Sequence, residues 1–99
     1  MSQPVVVIAR FSAHPDRTAA LRELLEGMVG PTRAEPGCDR YDLYEVTDGG
    51  ALILVERYQD QQALQHHRST DHYINYRAHL DDLLSSPISV SVLNPLDEA

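Results

Sequence analysis

Apolar residues alternate in some stretches of this chain and recur every three or four positions in others, and the switches between the two periods mark out six elements. Val5 to Phe11 puts Val5, Val7, Ala9 and Phe11 on one face and Val6, Ile8 and Arg10 on the other, a strand apolar on both sides. His14-Pro15-Asp16 interrupts it. Either Asp16 caps the helix that follows or Pro15 occupies its first turn. Leu21, Leu24, Leu25, Met28 and Val29 then form one helical stripe. Gly30-Pro31 should kink or end that helix, with a turn or so resuming through Thr32-Arg33-Ala34. Asp39 to Val46 alternates again, Asp48-Gly49-Gly50 reads as a hairpin turn, and Ala51 to Tyr58 returns as a second strand apolar on both faces. Asp60 can cap another helix, anchored by Ala63 and Leu64. A break is expected near Ser69-Thr70-Asp71, because these residues favour caps and turns. Tyr73, Tyr76, Leu80, Leu83 and Leu84 continue the stripe until Pro87, and Ile88, Val90 and Val92 make a last strand.

The order β-α-β-β-α-β predicts a ferredoxin-like α+β fold, in which two helices cover one face of a four-stranded antiparallel sheet. A sheet with one solvated face should alternate apolar and polar residues, and VVVIARF and ALILV do not. The uncovered face therefore needs a partner, and a homodimer packed sheet to sheet is expected.

At 99 residues, one domain spanning 1–99 is the expectation. A net charge of −7 argues against nucleic acid or an anionic membrane as partner. There is no apolar run long enough to span a bilayer, and MSQPVVVIAR lacks the pattern of a secretory leader. Cys38 is the only cysteine, which fits a cytoplasmic location.

Three stretches carry a resemblance. Glu35-Pro36-Gly37-Cys38 leads into an aromatic-rich strand. Glu56-Arg57-Tyr58 ends the next strand, with Asp60 and Ala63-Leu64 following. His67, Thr70 and His72 come last. In order and spacing, over nearly the whole chain, these resemble the antibiotic biosynthesis monooxygenase (ABM) domain family. The resemblance implies a dimeric α+β barrel with a substrate cleft between sheet and helices in each subunit. Family members include cofactor-independent oxygenases of anthrones and quinols, haem-degrading enzymes and proteins of unknown role. Haem-degrading relatives ligate iron with a histidine where Arg77 falls here and use a tryptophan. This chain has none, so no haem is expected.

The run ALQHHRSTDHY packs His66, His67 and His72 into seven residues. On a continuous helix His67 and His72 would point about 140° apart. With no carboxylate at matching spacing, no metal is expected. A cofactor-free oxygenase must take or share a substrate proton, hold the resulting anion, exclude water and admit O₂. Histidine titrates in the range that this proton step needs. His67 and His72 match the family's positions and are the candidate catalytic residues, set against a plain role in capping and packing the helix break. Tyr58, Tyr73 and Glu56 are candidate substrate-binding residues, with core packing as the simpler role for the tyrosines. Glu56 shares a face with Leu52 and Leu54 and would need a partner, across a dimer or from an arginine such as Arg40. Glu35-Pro36-Gly37-Cys38 reads as a helix exit with Gly37 at an unusual backbone angle, and Cys38 as a small packed residue.

The leading expectation is a cofactor-independent monooxygenase acting on a small aromatic, anthrone- or quinol-like molecule. The alternatives are a non-catalytic ligand-binding or accessory dimer, and a cofactor-free isomerase that needs a base but no oxygen.

Overall fold

The computed structural model describes residues 3–99. The first two residues of the stretch read for a leader lie outside it. Strands β1 (Val5–Phe11), β2 (Cys38–Glu45), β3 (Leu52–Tyr58) and β4 (Ser89–Leu93) form one sheet in the order β2-β3-β1-β4. All neighbouring pairs are antiparallel. Helices α1 (Thr18–Arg33), α2 (Gln61–Ser69) and α3 (Asp71–Leu80) cover one face, and a 3₁₀ turn at Asp81–Leu83 follows. This is the expected ferredoxin-like α+β arrangement, with the second helix divided in two.

The period-2 pattern sorts the sheet. Val5, Val7, Ala9 and Phe11 are buried under the helices, as are Leu52, Leu54, Glu56 and Tyr58 of β3. The α1 stripe of Leu21, Leu25 and Met28 packs on Phe11, Tyr41 and Leu54, and Tyr76 and Leu80 of α3 close the core. Val6, Ile8, Ile53 and Val55 occupy the uncovered face and are only half-buried.

Three local expectations are corrected. Neither Asp16 nor Pro15 starts α1. Arg17 is the N-cap residue and makes no side-chain cap, because a guanidinium has no acceptor to offer the helix N–H groups; its own N–H closes a turn onto the His14 carbonyl. Pro31 does not interrupt α1: the turn expected to resume through Thr32 and Arg33 is there, continuous with the helix before it, which runs to Arg33. A proline in the last turn removes only one helical hydrogen bond. That turn is fastened by Arg33, whose Nε–H donates to the Tyr41 carbonyl at 3.0 Å and whose guanidinium meets Asp42 at 3.0 Å. Gly37 has no positive φ, and Gly49 in the hairpin does, at 76°. Gly37 is needed for a different reason: any Cβ there would overlap the Cβ of Ala63 on α2. That close approach brings the segment after α1 against α2.

The break between α2 and α3 falls where the sequence places it. Asp60 caps α2 by accepting from the Ala63 N–H at 2.8 Å. Thr70 adopts an extended backbone, accepts from the Tyr73 N–H at 3.3 Å and donates to the His67 carbonyl at 2.7 Å. One side chain therefore ends one helix and starts the next.

Candidate active site

Four elements supply the site. The exit of α1 carries Glu35, α2 carries His67, α3 carries His72 and Tyr73, and β3 carries Glu56 and Tyr58. Glu35 is the hub. Its Oε2 accepts from His67 Nδ1 at 3.0 Å and from His72 Nε2 at 2.6 Å. A carboxylate oxygen only accepts, so both ring nitrogens donate. With Nδ1 of His67 carrying the proton, its Nε2 has a free lone pair. That Nε2 lies 4.0 Å from Oε1 of Glu56, which accepts a 2.6 Å hydrogen bond from the Tyr58 hydroxyl.

Burial sets the protonation states. Glu56 is pushed up to about 7, chiefly by desolvation, with the Tyr58 hydrogen bond opposing. Desolvation likewise holds His67 below its ordinary value, against the pull of Glu35. At neutral pH His67 is therefore a neutral base beside a carboxyl group poised near half-protonation. Burial raises the hydroxyls of Tyr41, Tyr58 and Tyr76, so all three remain protonated donors.

A cavity of about 290 Å³ opens between the sheet and helices α2 and α3. Val7, Ala9 and Val90 pave its sheet side, and Glu56 and His67 lie at its buried end among Tyr41, Tyr73 and Tyr76. Arg68 and Arg77 also line it, and both are exposed. Of the residues read from sequence, His67, Glu56 and Tyr73 line this cavity. His72 and Tyr58 do not; they stand behind, one on Glu35 and the other on Glu56. His66 is exposed, as read. The Arg40 partner expected for Glu56 is corrected to Tyr58. Arg40 lies on the opposite sheet face, bonded to Asp42 and Tyr44.

Glu35, Tyr41, Tyr76 and Arg68 were not singled out as site residues by the sequence, and Arg77 only as the position where haem-degrading relatives of the resembled family carry a histidine. The strand alternation places Tyr41 on the covered face, and the helical stripe contains Tyr76, so both carried a signal for burial. Glu35 carried none beyond its place in the EPGC motif.

The expectation that His67 and His72 diverge is also corrected. Because the helix breaks at Thr70, their ring centroids are 6.2 Å apart. Glu35, His67 and His72 bring three ligand-type atoms within 4.8 Å of one another. Their chemistry suits a divalent ion. The expectation of no carboxylate at ligand spacing from these histidines is corrected by Glu35, which reaches both of them from far along the chain. The observed 2.6 and 3.0 Å are hydrogen-bond lengths, those of one carboxylate oxygen shared by two N–H groups. No described helix is long and apolar enough to cross a membrane.

A one-sided α+β sheet of four antiparallel strands, with a buried Glu-His-Glu cluster at the end of an aromatic-lined cavity, is the fold class that the sequence resemblance implied. The chain belongs to the antibiotic biosynthesis monooxygenase family, whose model matches residues 4–79. It is 58% identical over 99 residues to a Mycobacterium tuberculosis protein named "Putative monooxygenase Rv0793", covering 100% of this chain and 98% of that one. The solved structure of Rv0793 superposes with a TM-score of 0.96 over 97% of this chain and 98% of that one. PA3566 of Pseudomonas aeruginosa, 33% identical, superposes with a TM-score of 0.89 over 98% of each chain.

Proposed function

We propose that the chain is a cofactor-independent monooxygenase of a small, phenolic or quinol-like aromatic, with His67 as the base and Glu56 as its proton-sharing partner. One observation carries this reading: His67 Nε2 and Glu56 Oε1 face each other across 4.0 Å at the buried end of the cavity. An oxygen at hydrogen-bond distance, about 2.8 Å, can touch both atoms at once. A substrate hydroxyl seated there loses its proton to Nε2 while Glu56 holds the developing anion or returns a proton. The resulting phenolate or enolate is electron-rich enough to react with O₂ directly. For an anthrone-like methylene, one oxygen atom ends in the new carbonyl and the other leaves as water, so the substrate supplies all the reducing equivalents.

In this reading Glu35 orients His67 as a carboxylate orients a catalytic imidazole. His72 shares Glu35, and Tyr58 holds Glu56, so both are positioning residues. Tyr73 and Tyr41 offer ring surface to an aromatic body. The uncovered sheet face pairs two copies of the chain, and the lone cysteine supports a cytoplasmic setting.

The test is oxygen uptake with anthrone and hydroquinone in chelator-treated buffer, against autoxidation blanks. The wild type should exceed the blank, and His67→Ala should lower the rate by about 10²-fold or more. Uptake unchanged in both His67→Ala and Glu56→Gln would remove these residues from the chemistry. Turnover that persists under argon would point to proton-transfer isomerisation instead.

A further inference from the structure

All eight basic residues of this chain are arginines, against fifteen acids. Arg22, Arg33, Arg40 and Arg57 form ion pairs with carboxylates. Among the described residues, Arg10, Arg17, Arg68 and Arg77 form none, and of these four Arg68 and Arg77 are the two that line the cavity. Both line the one cavity that contains the acid–base cluster. They arrive there from different helices, Arg68 in the last turn of α2 and Arg77 in the last turn of α3. Both are exposed while Glu56 and His67 are buried, so the cations form the rim and the acid–base pair the floor.

Their donors are largely unused. Arg77 spends one N–H on the Tyr73 hydroxyl at 3.3 Å and stacks its guanidinium 5.9 Å from that ring's centroid. Arg68 makes no side-chain hydrogen bond among the described residues. A planar fork with free N–H groups suits a carboxylate better than any neutral group. Arginines near helix C-termini also complement the helix dipole, which explains the residue type. It does not explain why two helices aim their cations at the same cavity.

We propose that Arg68 and Arg77 form an anion-binding rim, and that the substrate is an aromatic ring bearing a carboxylate besides its reacting hydroxyl. The inference rests on the cavity being the substrate site. At about 290 Å³ the space lies at the small end for ligand pockets, which suits one or two rings. The ring sits against Tyr41, Tyr73 and Tyr76, the hydroxyl reaches His67 and Glu56, and the carboxylate stays at the rim, away from the Glu56 charge.

The test is binding under argon, read by calorimetry, of 4-hydroxybenzoate, whose hydroxyl and carboxylate lie at opposite ends of the ring, and of its neutral isostere 4-hydroxybenzamide. The carboxylate ligand should bind about tenfold or more tightly, as charge-assisted hydrogen bonds imply. That ratio should fall towards one in the Arg68→Gln/Arg77→Gln double variant. It should persist in Arg17→Gln, which removes the same charge from an exposed position at the start of α1. A purely dipole-complementing role would change stability and leave the ratio intact. Equal affinity for the two ligands, a ratio that survives the double variant, or binding of neither at about 10 mM would overturn the proposal. Since no oxygen is present, an absence of monooxygenase activity would not affect this result. Uptake with neutral hydroquinone but no anion preference would sink the rim and leave the oxygenase standing.

Discussion

At the scale of single residues, the site depends on one carboxylate being used and another being kept half-protonated. Oε2 of Glu35 serves two imidazoles, and its other oxygen is buried without a partner. All of its hydrogen bonding is thus committed to fixing His67 and His72. Glu56 is the opposite case, since its one hydrogen bond does not offset its desolvation. This has a thermodynamic consequence. The ordinary carboxyl value is 4.5 and the folded value about 7, so the folded state holds this proton more tightly than the unfolded chain does. The stability that this group contributes is complete below pH 4.5 and is lost as pH rises through about 7. The gap between the two values corresponds to about 3 kcal/mol. His67 acts in the other direction. Its folded value is depressed, so its contribution is present above the ordinary 6.5 and is lost as pH falls. Glu56→Gln removes the first effect and leaves the second. Urea unfolding at pH 5 and pH 8 should therefore show the wild type losing about 2.5 kcal/mol more than the variant over that interval. Equal losses would mean that Glu56 titrates as an exposed carboxylate does.

At the scale of elements, the site exists because three chain segments meet at Gly37, Ala63 and Thr70. Gly37 lets the α1 exit lie against α2, which places Glu35 beside His67. Thr70 turns the chain so that His72 swings back to the same oxygen. Gly37→Ala should cost about 1–3 kcal/mol through overpacking and should loosen the Glu35–His67 contact. Ala63→Gly, which removes the opposing methyl, should restore most of the loss when combined with it. Thermal melts of the two single variants and the double variant check this, and additive losses would deny the contact. These same elements show what a sequence can reveal. The Thr70 break was legible because Ser-Thr-Asp is local chemistry that offers the backbone a cap, and the strands were legible because alternation is local too. The turn beyond Pro31 was legible, but its unbroken join to α1 was not, since distant partners on β2 hold Arg33 in place. Glu35 was hidden for a similar reason. It lies 32 residues before His67 and 37 before His72, in a loop with no periodicity to betray its burial. Arg68 looked like an ordinary polar position and Arg77 was noted only for lacking the haem relatives' histidine, because only the closed fold shows that the two share a cavity.

At the scale of the molecule, the two faces of the sheet have separate work. The helix-covered face holds the core and the cavity. The other carries Val6, Ile8, Ile53, Val55, Tyr44 and Leu93, with Tyr44 and Leu93 among the exposed large apolar residues. Arg40, Asp42 and Arg57 lie beside them, tied into ion pairs that neutralise most of their charge. An apolar patch with a satisfied polar margin is the anatomy of a protein interface. The expected outcome is a dimer of twice 11.1 kDa, measured by light scattering on a gel-filtration column at micromolar concentration. Ile8 is the position to probe, because it pairs with Val55 on one side and Ser91 on the other, in the middle of that face. Ile8→Glu would bury a charge at the centre of the interface and should give an 11.1 kDa monomer. Its side chain points away from the helices, so the monomer should keep its circular dichroism and its affinity for 4-hydroxybenzoate if each cavity is complete within one chain. Loss of affinity on dissociation would mean that the partner helps to close the cavity. A wild-type protein that runs as a monomer at micromolar concentration would remove the dimer and leave the apolar face without a role.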